Sequence, residues 1–172
     1  MDKQFELDKR YLRMARIWSE NSYAIRRQVG ALVVKDRMTI SDGYNGTPAG
    51  FENVCEDVEC TCKWTWGCCD TARPIVESID LMKRCKECNY AKLKTKLYVL
   101  HAEANALSKL ARSGNNSEGA TLYVTDEPCL DCAKMIIQAG IKRVGLLERI
   151  SYPRGNSIII KSKDTNRPNN KH

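Results

Sequence analysis

The chain has 172 residues, 42% of them hydrophobic, enough for one domain with a sizeable core and too little for a second full one. No apolar run reaches about 18 residues, and the opening segment MDKQFELDKRYLRMARIW mixes its charges among its apolar residues. A cytoplasmic chain is therefore expected, neither membrane-spanning nor secreted. A net charge of +7 suits nucleic acid or phosphorylated small molecules, but a solvated basic surface explains it equally, so charge leaves the function open.

Residues 5–18 place Leu7, Tyr11, Leu12, Met14, Ala15, Ile17 and Trp18 at helical spacing and predict an amphipathic helix that packs on a sheet. Residues 31–34 and 38–40 flank the polar Lys35-Asp36-Arg37, a hairpin pattern. The second strand runs into residues 43–50, GYNGTPAG, a loop by its glycine and proline content.

From residue 51 to about 97 the character changes. Seven of the nine cysteines fall here, at 55, 60, 62, 68, 69, 85 and 88, with little apolar periodicity to build a separate core. An odd total cannot pair completely, and the C-x-x-C spacings favour reduced thiols and metal in a cytosol. The segment is expected to be an insertion held by metal, within a single domain covering residues 1–160.

The rest alternates again. HAEANALSKLARSG reads as a helix with Ala104, Leu107, Leu110 and Ala111 on one face and Gly114 as its stop. Residues 120–125 read as a strand, 129–139 as a helix stopped by Gly140, and 143–147 as another strand. Residues 161–172, KSKDTNRPNNKH, lack a hydrophobic pattern and are expected to be a disordered tail.

Chemistry concentrates in H-x-E, His101 and Glu103, followed by P-C-x-x-C, Pro128 with Cys129 and Cys132. One imidazole and two thiolates can hold zinc with a fourth position left for water, and a nearby carboxylate that is not a ligand can move protons. Both thiols lie where a strand gives way to a helix, so the helix dipole and exposed N–H groups are expected to lower their pKa. Two thiolates neutralise much of the charge on zinc, which makes Glu103 valuable as a separate proton shuttle. Residues two apart on a regular helix point about 200° apart, so His101 is expected at the very start of its helix.

A lone C-x-x-C is more often half of a structural zinc site. Pairing Cys85-x-x-Cys88 with Cys129-x-x-Cys132 would make a four-cysteine zinc ribbon, a non-catalytic nucleic-acid-binding module, but would leave His101 and Glu103 without a role. The full combination is the signature of zinc nucleobase deaminases, and a deaminase acting on a cytosine or adenosine in nucleic acid is a further alternative.

GYNGTPAG, HAEANAL after the cysteine-rich insertion, and EGATLYVTDEPCLDCAKMIIQAGIKRV together resemble the deoxycytidylate (dCMP) deaminase family over residues 5–148. The resemblance implies a three-layer α/β/α cytidine-deaminase-like fold, with a mixed sheet of about five strands and helices on both faces. It implies conversion of dCMP to dUMP and ammonia, feeding thymidylate synthesis, with no nucleic-acid or membrane partner. It also implies that Asn45 binds the sugar hydroxyl and that backbone groups around Ala102 and Pro128 read the cytosine edge. Many members of the family are homo-hexamers activated by dCTP and inhibited by dTTP, with Mg²⁺ at the regulatory nucleotide; this places Gly46, Thr47 and Gly50 in an allosteric loop. Several relatives use a histidine in a second zinc site, but none lies between residues 51 and 100 here. Any second, structural zinc is then expected to be cysteine-rich, with Cys85-x-x-Cys88 as one half-site and two of Cys55, Cys60, Cys62, Cys68 and Cys69 as the other ligands, the best candidates being Cys60, Cys68, Cys85 and Cys88. The substrate phosphate is expected to draw on the group Arg26, Arg27, Arg149 and Arg154 with Tyr152.

Overall fold

The computed structural model describes residues 3–60 and 91–146. Helix α1 (Lys3–Ser19) leads into strands β1 (Gly30–Lys35) and β2 (Met38–Tyr44), followed by β3 (Glu56–Cys60) and β4 (Ala91–Thr95). Helix α2 (Ala102–Ala111), strand β5 (Thr121–Val124), helix α3 (Leu130–Gln138) and strand β6 (Arg143–Leu146) complete the order. Strand β2 continues to Tyr44, so the first two residues of the expected 43–50 loop are strand.

Strand β1 is buried along nearly its whole length instead of alternating with solvent, the mark of a strand covered on both faces. The period of two then sorts its side chains between two cores. Ala31 and Val33 join Ala106, Leu122, Val124 and Ile136 under α2 and α3, while Leu32 and Val34 join Leu12, Ala15 and Tyr123 under α1. The result is a three-layer α/β/α arrangement. The sheet order is β2-β1-β5-β6; β1 is antiparallel to both neighbours and β5 runs parallel to β6, with α3 making the crossover that a parallel pair requires. Four strands of this mixed sheet lie among the described residues, against about five expected.

Two glycines let the helices lie directly on the sheet backbone. A Cβ on Gly30 would stand 2.0 Å from the carbonyl oxygen of Ala15, and one on Gly43 would stand 2.2 Å from that of Ala102 and 2.5 Å from the amide nitrogen of Ala106. The second contact seats the beginning of α2 on β2. Ser41 Oγ adds a hydrogen bond to the Ala106 carbonyl at 2.7 Å, and Asn105 Nδ2 donates to the Tyr44 carbonyl at 2.9 Å.

The two ends of the cysteine-rich insertion pair with each other as an antiparallel ribbon, from Glu56↔Thr95 to Cys60↔Ala91. Its sequence signal is charge complementarity rather than apolar alternation: an acidic strand, EDVEC, meets a basic one, AKLKT. The register sets Asp57 opposite Lys94, an opposite-charge pairing that favours this alignment. Of the expected second-zinc residues, Cys60 ends β3, while Cys68, Cys85 and Cys88 lie outside the described residues. Arg149, Tyr152, Arg154 and the expected tail also lie outside them.

Candidate active site

His101 and Cys129 are the N-cap residues of α2 and α3, both with extended backbone (φ −72°, ψ 155° and φ −67°, ψ 168°), and neither side chain caps its own helix. An N-cap side chain ordinarily satisfies the first free N–H groups of its helix. Here the imidazole and thiol turn towards each other instead. His101 Nδ1 lies 3.5 Å from Cys129 Sγ and 3.5 Å from Cys132 Sγ, and the three donor atoms all fall within 4.8 Å of one another. Because His101 is extended while Glu103 is helical, the two side chains escape the divergence of an i, i+2 pair on a regular helix.

The donor set fits zinc in chemistry and in spacing. A tetrahedral ion about 2.05 Å from nitrogen and about 2.3 Å from sulfur separates those atoms by about 3.6 Å, close to what the protein presents. Cys132 is buried, whereas His101 and Cys129 are exposed on the cavity side, so a fourth position would face the cavity.

Burial governs the protonation of the deeper groups. Glu103 is only 4% exposed, and this pushes its carboxyl above the usual range; its own backbone N–H, His101 and Cys132 pull in the other direction. The expectation that a helix start lowers both thiols is corrected at Cys132. Burial is the largest influence there, followed by the Glu103 carboxylate and Cys129, and together they push the thiol strongly upwards. A neighbouring cation, not the helix dipole, is what would favour a thiolate at this position.

The cluster opens into a cavity of about 520 Å³. Ala102 lines it, as do Glu127 and Cys129, but Pro128 between them does not. Both arginines before β1, Arg26 and Arg27, are in the wall. Arg27 is ion-paired with Asp126 at 2.6 Å, while Arg26 Nη1 donates to Thr95 Oγ1 at 3.2 Å. Asn45 also lines the cavity, yet its amide holds the chain leading into β1. Oδ1 accepts from the Val29 N–H and Nδ2 donates to the Arg27 carbonyl, both at 2.8 Å. One N–H and one lone pair of that amide remain for a ligand.

Gly46, Thr47 and Gly50 are not among the lining residues. Gly46 exchanges backbone hydrogen bonds with Leu100, at 3.1 and 2.8 Å, directly before His101. Thr47 Oγ1 donates to Asn53 Oδ1 at 3.4 Å. Gly50 sits at φ 91° in the turn closed by the Phe51 N–H and the Pro48 carbonyl. Sequence reasoning missed Glu56, Thr95 and Asp126, which all line the cavity. Asp126, two residues before the P-C-x-x-C run, sits at the end of an expected strand and was within reach; Glu56 and Thr95 depended on recognising the ribbon.

Residues 5–148 match the family model described as the cytidine and deoxycytidylate deaminase zinc-binding region. Deoxycytidylate deaminase of Enterobacteria phage T4 is 36% identical over 144 residues, 77% of this chain and 73% of that protein. The enzyme of the same name from Mycobacterium phage D29 is 36% identical over 147 residues, 86% of this chain and 94% of its own length. Among solved structures, dCMP deaminase from the cyanophage S-TIM5 in complex with dCMP and dUMP is 34% identical, with a TM-score of 0.59 over 85% of this chain and 82% of that one.

Proposed function

The chain belongs to the cytidine and deoxycytidylate deaminase zinc-binding family, and from that premise we propose that it hydrolyses dCMP to dUMP and ammonia. The observation that carries the reading is the convergence of two helix N-caps, His101 and Cys129, with the buried Cys132, beside a cavity that Glu103, Arg26 and Arg27 also line. His101 Nδ1 and the thiols of Cys129 and Cys132 would hold zinc, whose chemistry is to acidify a bound water.

Glu103 does the proton work. Its burial equips the carboxyl to keep a proton between transfers. It takes one from the attacking water and passes it to the ring nitrogen, then takes the proton of the hydroxyl now on the ring carbon and delivers it to the departing amine, leaving a carbonyl. A carbon–oxygen bond forms at the ring carbon, the carbon–nitrogen bond breaks, and ammonia leaves. Arg26 and Arg27 supply cations for the substrate phosphate, and the unused N–H and lone pair of Asn45 suit the sugar hydroxyl. His101 Nδ1 lies 3.5 Å from both Cys129 Sγ and Cys132 Sγ, which favours a histidine as their partner over the four-cysteine ribbon.

The further parts of the proposal are supported by family resemblance: supply of dUMP for thymidylate synthesis in the cytoplasm, activation by dCTP and inhibition by dTTP with Mg²⁺, a homo-hexamer, and a structural zinc on Cys60, Cys68, Cys85 and Cys88. Among the described residues no helix is long and apolar enough to cross a membrane. Ammonia release from dCMP, deoxycytidine and a cytosine-containing oligonucleotide, each with and without dCTP or dTTP, tests the proposal. Turnover of dCMP far above the other two is expected. Preference for the oligonucleotide would overturn the substrate, and indifference to both triphosphates would overturn the regulation.

A further inference from the structure

Glu56 is 2% exposed yet contributes to the cavity wall. A carboxylate so placed beside an expected phosphate is unfavourable unless its charge is already engaged. It is engaged: Oε2 accepts from the Ile25 N–H and Oε1 from the Arg26 N–H, both at 3.2 Å. Glu56 also opens the ribbon, where its cross-strand partner is Thr95, and Thr95 Oγ1 accepts from the Arg26 guanidinium at 3.2 Å. One rung of the ribbon therefore holds Arg26 at both ends, the main chain through Glu56 and the side chain through Thr95. The neighbouring arginine differs, since Arg27 is ion-paired with Asp126, whereas no ion pair of Arg26 is formed among the described residues.

We infer that Glu56 is a positioning residue: with Thr95 it fixes Arg26 at the cavity wall so that the guanidinium meets the phosphate of a nucleoside monophosphate. The inference rests on the dCMP reading proposed above. A glutamine at 56 keeps the shape but places an NH2 donor against one of two N–H donors, so the clamp loses a bond and gains a repulsion. A merely structural staple would depress turnover of every substrate alike. A positioning role acts on the phosphate and therefore on KM for dCMP.

The experiment compares wild type, Glu56→Gln, Thr95→Val and Arg26→Ala in steady-state kinetics with dCMP and with deoxycytidine, and measures dUMP binding by calorimetry. For Glu56→Gln the loss in kcat/KM for dCMP is expected to exceed that for deoxycytidine by about tenfold, mostly in KM, with dUMP affinity falling in parallel. Combined with Arg26→Ala, Glu56→Gln should add little further discrimination. Thr95→Val, which keeps the side-chain shape, should move the same ratio by about threefold and carries the test if Glu56→Gln fails to fold. Equal losses on both substrates, or full additivity with Arg26→Ala, would overturn the inference while leaving dCMP turnover by wild type intact. A wild type that neither deaminates dCMP nor binds dUMP would overturn the functional reading and this inference together.

Discussion

His101 Nδ1 and Cys132 Sγ stand 3.5 Å apart although 31 residues of chain separate them. The packing of α2 and α3 on one face of the sheet brings them together, and this is also close to the separation a shared tetrahedral ion demands. Replacing Cys132 by alanine is expected to lower zinc content, measured by elemental analysis, by one equivalent per chain relative to wild type and to abolish turnover. A variant that keeps its full zinc content would exclude Cys132 as a ligand.

Glu103→Gln separates proton transfer from metal binding, because it keeps the shape of the side chain and spares the three donors. Zinc content should match wild type while kcat for dCMP falls by roughly two to four orders of magnitude. Turnover close to wild type would remove Glu103 from the mechanism.

Asn45→Ala removes two hydrogen bonds, both at 2.8 Å, from the segment entering β1. Leaving the Val29 N–H and the Arg27 carbonyl without partners should cost about 1–3 kcal/mol in urea unfolding. A loss of dCMP affinity without loss of stability would instead make Asn45 a ligand contact alone.

Gly43→Ala drives a methyl group into the main chain of α2, 2.2 Å from the Ala102 carbonyl oxygen. Backbone cannot step aside as a flexible side chain can, so destabilisation of about 1–3 kcal/mol is expected. Since His101 is the N-cap of α2, zinc content should drop as well. A melting temperature equal to wild type would show that helix and sheet have room to separate.

Tyr123 provides the pH dependence. Its hydroxyl donates to Asp8 at 2.6 Å under α1, and burial, followed by that carboxylate, pushes its pKa well above the ordinary value. The unfolded chain loses this proton near pH 10 while the folded chain keeps it. Its contribution is therefore fully present below about pH 10 and declines as pH rises further, by up to about 1.4 kcal/mol per unit. Tyr123→Phe should start from a lower stability and fall less steeply above about pH 10; parallel unfolding curves for the two proteins would contradict this.

The parts of the fold that follow from local patterning were legible. The α1 stripe, the β1–β2 hairpin, and the two helix starts at His101 and Cys129 all leave marks within a few residues, and H-x-E needs an extended histidine for reasons of angle alone. Glu56 was not legible: its partners, Ile25 and Arg26, lie 31 and 30 residues away, and no period marks a carboxylate that binds main chain. The Cys132 thiol failed for a different reason. Dipole and spacing argued for a lowered pKa, whereas its depth beneath the cavity, invisible in sequence, decides the sign.

Because Cys60 and Ala91 face each other across the last rung of the ribbon, the polypeptide between them departs and returns at one place, like a cassette mounted on a fixed socket. The socket is held by its own five paired positions, and Glu56 and Thr95 at its other end keep their hold on Arg26 whatever is mounted at the last rung.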